Sequence, residues 1–172
     1  MVNKLKKILA LSLALLSTSV FADNFNGKSA FGYTLGEQLN FEKEKTKDGV
    51  SNIKITKQEN SILFSKKTDF HDFNQYYVAS TPISKTIFKI GAMERTDNNE
   101  ECMKERNNLI SYFEDKYQSE HKKIPTRENY VIKDVVIGKD ISVTVVCNVR
   151  TNNVVIEFSN LETSRLQSKE SK

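Results

Sequence analysis

The sequence predicts an α+β domain: an antiparallel sheet of about six or seven strands, with one long helix packed on one face and clamped to the sheet by a disulfide. Three observations predict it. Short segments of alternating hydrophobicity flank one stretch of helical periodicity. Residues that favour turns separate the alternating segments. The two cysteines fall on the apolar stripe of the helix and in the apolar row of a strand.

The chain opens with Lys4, Lys6 and Lys7, an apolar run over residues 8–16 and the small-residue stretch Ser17-Thr18-Ser19-Val20-Phe21-Ala22. That order of charge, apolar core and small residues is the pattern of a secretory signal peptide. Val20 and Ala22 at positions −3 and −1 put the cut before Asp23. Residues 1–22 are thus expected to be a signal peptide, 23–160 one α+β domain and 161–172 a flexible, solvated tail. No cysteine stands at the cut, so no lipid anchor is expected.

Residues 31–36 (FGYTLG) alternate apolar residues with two glycines and read as a short strand or docked turn. Residues 50–56 place Ile53 and Ile55 on one face, residues 61–65 do the same with Ile62 and Phe64, and residues 57–60 form the turn of a hairpin. A connector containing His71 and Asp72 leads to strands over 75–80 and 85–93, with Pro82 between them, where its missing donor is tolerated.

The helix runs from residue 101 to about 117. Asp97 with Glu100 fits a capping box, and Thr96 competes as the cap. Cys102, Leu109, Ile110, Phe113 and Tyr117 make one stripe, with Lys104, Glu105, Asp115 and Lys116 outside it. A polar connector with Pro125 precedes strands over 130–137, 141–150 and 154–159. In the second of these, Ile141, Val143, Val145, Cys147 and Val149 share parity and face the core. Cys102 and Cys147 therefore lie on two surfaces that must meet, and in an oxidising compartment they are expected to bond.

The whole chain has 26 basic and 22 acidic side chains. Lys4, Lys6 and Lys7 are the only charges in residues 1–22, so the remainder holds 23 bases against 22 acids, a net charge of +1. Such a balance argues against a generally basic protein and against nucleic acid as partner. The lysines at 43/45/47, 66/67 and 122/123 are interleaved with acids rather than gathered in a stripe. No later apolar run nears the roughly 20 residues needed to span a bilayer. The expected location is the periplasm, with the extracellular medium as the alternative.

Catalytic patterns are scarce. The only histidines are His71 and His121, without metal-ligand spacing, and there is no H-E-x-x-H, G-x-S-x-G or glycine-rich phosphate loop. The carboxylate pairs Glu42/Glu44, Glu100/Glu101 and Glu114/Asp115 are common in chains of this composition. No metal or cofactor is expected. Aromatic residues cluster in Phe70, His71, Phe73, Tyr76 and Tyr77, a candidate interaction patch because such side chains supply anchoring area.

The opening Phe31-Gly32-x-x-Leu35-Gly36, the pair Tyr77-Val78-Ala79-Ser80-Thr81-Pro82 with Ile87-Phe88-Lys89-Ile90, and a helix from Glu100-Glu101-Cys102 to Glu114-Asp115-Lys116-Tyr117 carry a likeness. The chain resembles a group of small exported bacterial proteins of uncharacterised function. That resemblance implies an α+β fold and no catalytic residue. The chain departs from it at Gln118, where a glycine would ordinarily end the helix.

Together these readings favour a non-enzymatic exported binding protein of inhibitor or immunity type, whose partner is a secreted or envelope protein and which binds through loops or an exposed aromatic such as Tyr76. The alternatives are an envelope-assembly or stress factor, and a hydrolase built on His71 and Asp72. The sequence does not specify an oligomeric state.

Overall fold

A computed structural model describes residues 28–65, 73–128 and 130–172. The signal peptide expected over 1–22, and Phe70, His71 and Asp72, lie outside the described residues. A short hairpin, β1 (Ser29–Ala30) and β2 (Tyr33–Thr34), precedes the small helix α1 (Phe41–Lys45). The first half of the sheet is β3 (Val50–Ile55), β4 (Asn60–Phe64), β5 (Gln75–Ser80) and β6 (Ile87–Arg95), followed by the long helix α2 (Asn99–Tyr117). The second half is β7 (His121–Ile124), β8 (Val131–Ile137), β9 (Ser142–Asn148) and β10 (Asn153–Ser159), followed by α3 (Leu161–Glu170).

The eight strands run in the order β3-β4-β5-β6-β10-β9-β8-β7, each antiparallel to its neighbour. Two four-stranded meanders thus meet edge to edge at β6 and β10, and each is followed by a helix. The helices exchange sides: α2 packs on β8, β9 and β10 of the second meander, and α3 returns to β6 of the first. This exchange ties the halves into one core.

Strict alternation builds that core. Ile62, Val78, Ile90, Phe158, Val143 and Val136 are register partners across six successive strands, and all are essentially inaccessible to water. Under Phe158, Val143 and Val136 lies α2, whose Cys102, Leu109, Ile110 and Phe113 are buried as its stripe predicts. Cys102 and Cys147 are bonded, with Cα atoms 5.8 Å apart, so the expected clamp between helix and sheet is present.

The Phe31-Gly32 pair occupies the two-residue turn between β1 and β2, with φ values of 54° and 87°. Such a turn needs positive φ at both central positions, which glycine adopts freely and phenylalanine does not. Burial offsets the cost at Phe31, whose ring centroid sits 4.7 Å from that of Tyr76 and 6.1 Å from that of Phe158. The opening motif is therefore a device for inserting an aromatic plug into the core.

Local details differ from the sequence expectations. The α2 cap is Asn98 rather than Asp97 or Thr96: its side chain accepts the Glu101 N–H at 3.0 Å, while Glu101 accepts the Asp97 N–H at 3.1 Å. Residues 121–124, expected as connector, form the edge strand β7, which a two-residue period over four mostly charged residues could not reveal. Residues 161–170, expected within a flexible tail, form α3. Asn160 caps it by accepting the Thr163 N–H at 2.8 Å, and Glu170 anchors its end by accepting the N–H groups of Ile83 and Ser84, each at 2.9 Å. A helix held by such polar contacts needs no apolar stripe, which is why periodicity did not show it.

Candidate functional site

The inner rows of the sheet are covered by α2, α1 and the β1–β2 hairpin. Residues of opposite parity form the outer face, where Leu63, Tyr77, Met93, Val135, Val146 and Val155 are only half-buried. Helix α2 packs on the opposite rows of β8, β9 and β10, and these outer rows are left partly open to solvent.

Tyr77 organises its centre. Its register partner on β6 is Gly91, and the phenol ring lies directly over the glycine backbone, filling the space a Cβ would take. The ring then reaches Glu157 on β10, to which the hydroxyl donates a 2.5 Å hydrogen bond. Lys89 brings its Nζ to 3.5 Å from the same carboxylate oxygen. Burial, and then the negative charge and hydrogen bond of Glu157, push the Tyr77 hydroxyl far above its ordinary pKa. The phenol thus remains a proton donor. Beside it lies a shallow cavity of about 140 Å³ lined by Asn52, Lys54, Glu59, Ser61, Leu63, Tyr77, Ala79 and Lys89.

A second polar cluster lies on the inner side, beneath α2. Arg106, 5% exposed, pairs through Nη2 with the fully buried Asp134 of β8, and its Nη1 donates to Asn107 at 2.6 Å. His121 of β7 stands between two acids, with Nδ1 3.0 Å from Glu114 Oε1 and Nε2 3.6 Å from Asp134 Oδ1. Hydrogen bonds from His121 hold the Glu114 carboxyl below its ordinary pKa, and burial lowers that of Arg106. The geometry is that of an internal ion pair joining helix to sheet. The sequence reading missed both members, although Arg106 follows Cys102 by one helical turn and Asp134 shares parity with Val136.

The aromatic patch expected from sequence is divided by the sheet. Phe73 is 5% exposed and Tyr76 is wholly buried, so neither is an exposed anchor; Tyr76 points inward because it is one residue out of phase with Tyr77. Of the described members, only Tyr77 faces outward. Phe70 and His71 fall outside the described residues, and Cys102 and Cys147 are brought together in the core.

No known protein family, curated protein or solved structure matches the chain. Among the described residues, no helix is long and apolar enough to cross a membrane, and no three His, Cys, Asp or Glu side chains are placed to hold a metal.

Proposed function

We propose that the chain is a non-enzymatic exported binding protein, of inhibitor or immunity type, that engages a secreted or envelope protein through the open face of its sheet. One observation carries this reading: an eight-stranded sheet presents half-buried apolar residues on a face left partly open to solvent. Strand spacing and rise give that face dimensions of roughly 34 by 20 Å. The resulting ~700 Å² is close to the ~800 Å² that each partner contributes to a standard interface.

The face, rather than an edge, is the favoured surface. β3 is interrupted by a register shift between Val50 and Asn52 and carries Lys54, while β7 is four residues long and carries Lys122 and Lys123. Short, bulged and lysine-bearing edges resist strand addition.

The test is capture by the tagged full-length chain from an extract of the compartment to which it is exported. A retained partner should be lost in Val146→Asp and Leu63→Asp, with cooperative urea unfolding preserved in both. A chain that captures nothing, or whose capture survives both substitutions, overturns the reading.

A further inference from the structure

Although residues 23–172 are nearly neutral, their charge is unevenly distributed. The strand positions on the open face carry Lys54, Lys89, Arg95, Lys122 and Lys133, against the acids Glu157 and, in the turn beside Tyr77, Glu59. Glu157 is already engaged by Tyr77 and Lys89. On the other side of the molecule, α2 exposes Glu100, Glu101 and Asp115 against Lys104. The sheet face is thus positive and the exposed side of α2 negative, a contrast that the net charge conceals.

We infer that the open face docks an acidic protein surface, one that sets Asp and Glu side chains around an apolar centre; the inference rests on the binding role proposed above. Charge complementarity supplies the argument, since opposite potentials speed encounter and exclude like-charged competitors. The bases lie toward the ends and edges of the sheet, whereas Val146, Val155, Met93 and Leu63 occupy the strands between. Apolar centre and charged rim is the usual anatomy of a protein interface. A second copy docked face to face fits poorly, because two such faces would oppose lysine to lysine. Nucleic acid fits poorly too, because these bases lie apart on β3, β6, β7 and β8 rather than in one stripe along a phosphate backbone.

The experiment places a photo-crosslinking residue at Val146, on the open face, and separately at Asp115, on the exposed side of α2, in the full chain expressed in the cells that make it. Crosslinked peptides are then sequenced by mass spectrometry. Adducts should form from position 146 only, to a protein segment with more Asp and Glu than Lys and Arg. The double variant Lys54→Glu/Lys133→Glu should reduce their yield at least tenfold, as should raising the salt in a purified mixture. Adducts from 146 to a neutral or basic protein, to nucleic acid, to lipid or to a second copy overturn the acidic partner but leave an open-face binding role standing. Adducts from 115 alone, or from neither position, overturn both.

Discussion

Tyr77 and Gly91 are partners across β5 and β6, and the ring of the first covers the backbone of the second so closely that a methyl group on Gly91 would overlap it. Gly91→Ala should therefore displace the ring and break the 2.5 Å bond from Tyr77 to Glu157. The expected cost is about 1–3 kcal/mol, as for overpacking elsewhere in protein interiors. Urea unfolding measures it, and Tyr77→Ser combined with Gly91→Ala should cost less than the sum of the two single changes.

Arg106 and Asp134 are mutually dependent. Arg106→Met leaves the Asp134 carboxylate buried without its guanidinium, and stability should fall by about 3–5 kcal/mol. Adding Asp134→Leu should restore most of the loss, because two apolar side chains of similar volume carry no charge to desolvate. Chemical denaturation of the single and double variants decides the matter, and a double variant no more stable than the single would contradict it.

The bond between Cys102 and Cys147 closes a loop with a sequence separation of 45. On the chain-entropy account, such a crosslink contributes about 4 kcal/mol, a large share of the total for a domain of this size. Replacing both cysteines with alanine should lower the urea midpoint accordingly. If the midpoint is unchanged, the helix is held by packing alone.

Acid should release the end of α3. Partial desolvation pushes the Glu170 carboxyl up, but hydrogen bonds from Ser84 and Ile83 outweigh it and hold the net pKa below the ordinary 4.5. A pKa depressed in the folded state means that the contact contributes fully above the ordinary value and is lost as pH falls through the folded one. Amide NMR signals of Ile83 and Ser84 should therefore shift together below about pH 4.5. In Glu170→Gln that transition should be absent.

At the end of α2, Gln118 adopts the left-handed conformation, with φ 49° and ψ 48°, and its Nε2 donates to the Asp115 carbonyl at 2.6 Å. A non-glycine residue there costs roughly 1–2 kcal/mol, only part of which one exposed hydrogen bond offsets. Gln118→Gly should raise stability by about 0.5–1 kcal/mol, visible as an increase in the thermal midpoint.

Alternation made the sheet legible: Ile53 with Ile62, and the odd-numbered residues from Ile141 to Cys147, point inward as their parity requires. The helix stripe and the disulfide were legible for the same reason, since periodicity assigns a face to each residue. Elements held by polar contacts were not. β7 has no apolar row, α3 rests on a cap and one carboxylate, and Arg106 and Asp134 look like ordinary surface charges until helix and sheet are superposed. The candidate site was half visible: Tyr77 stood in the aromatic cluster beside Tyr76, but their opposite directions needed the register.

What the sequence determined by itself is each residue's local face, because strand and helix periods depend only on neighbours along the chain. The partnering of those faces was decided by the tertiary structure. Pairing β6 with β10 joined two meanders and gathered bases from distant segments on one open surface, while α2 turned Glu100, Glu101 and Asp115 away from it. Charge summed along the chain is blind to that division, because electrostatic fields depend on where charges lie in space.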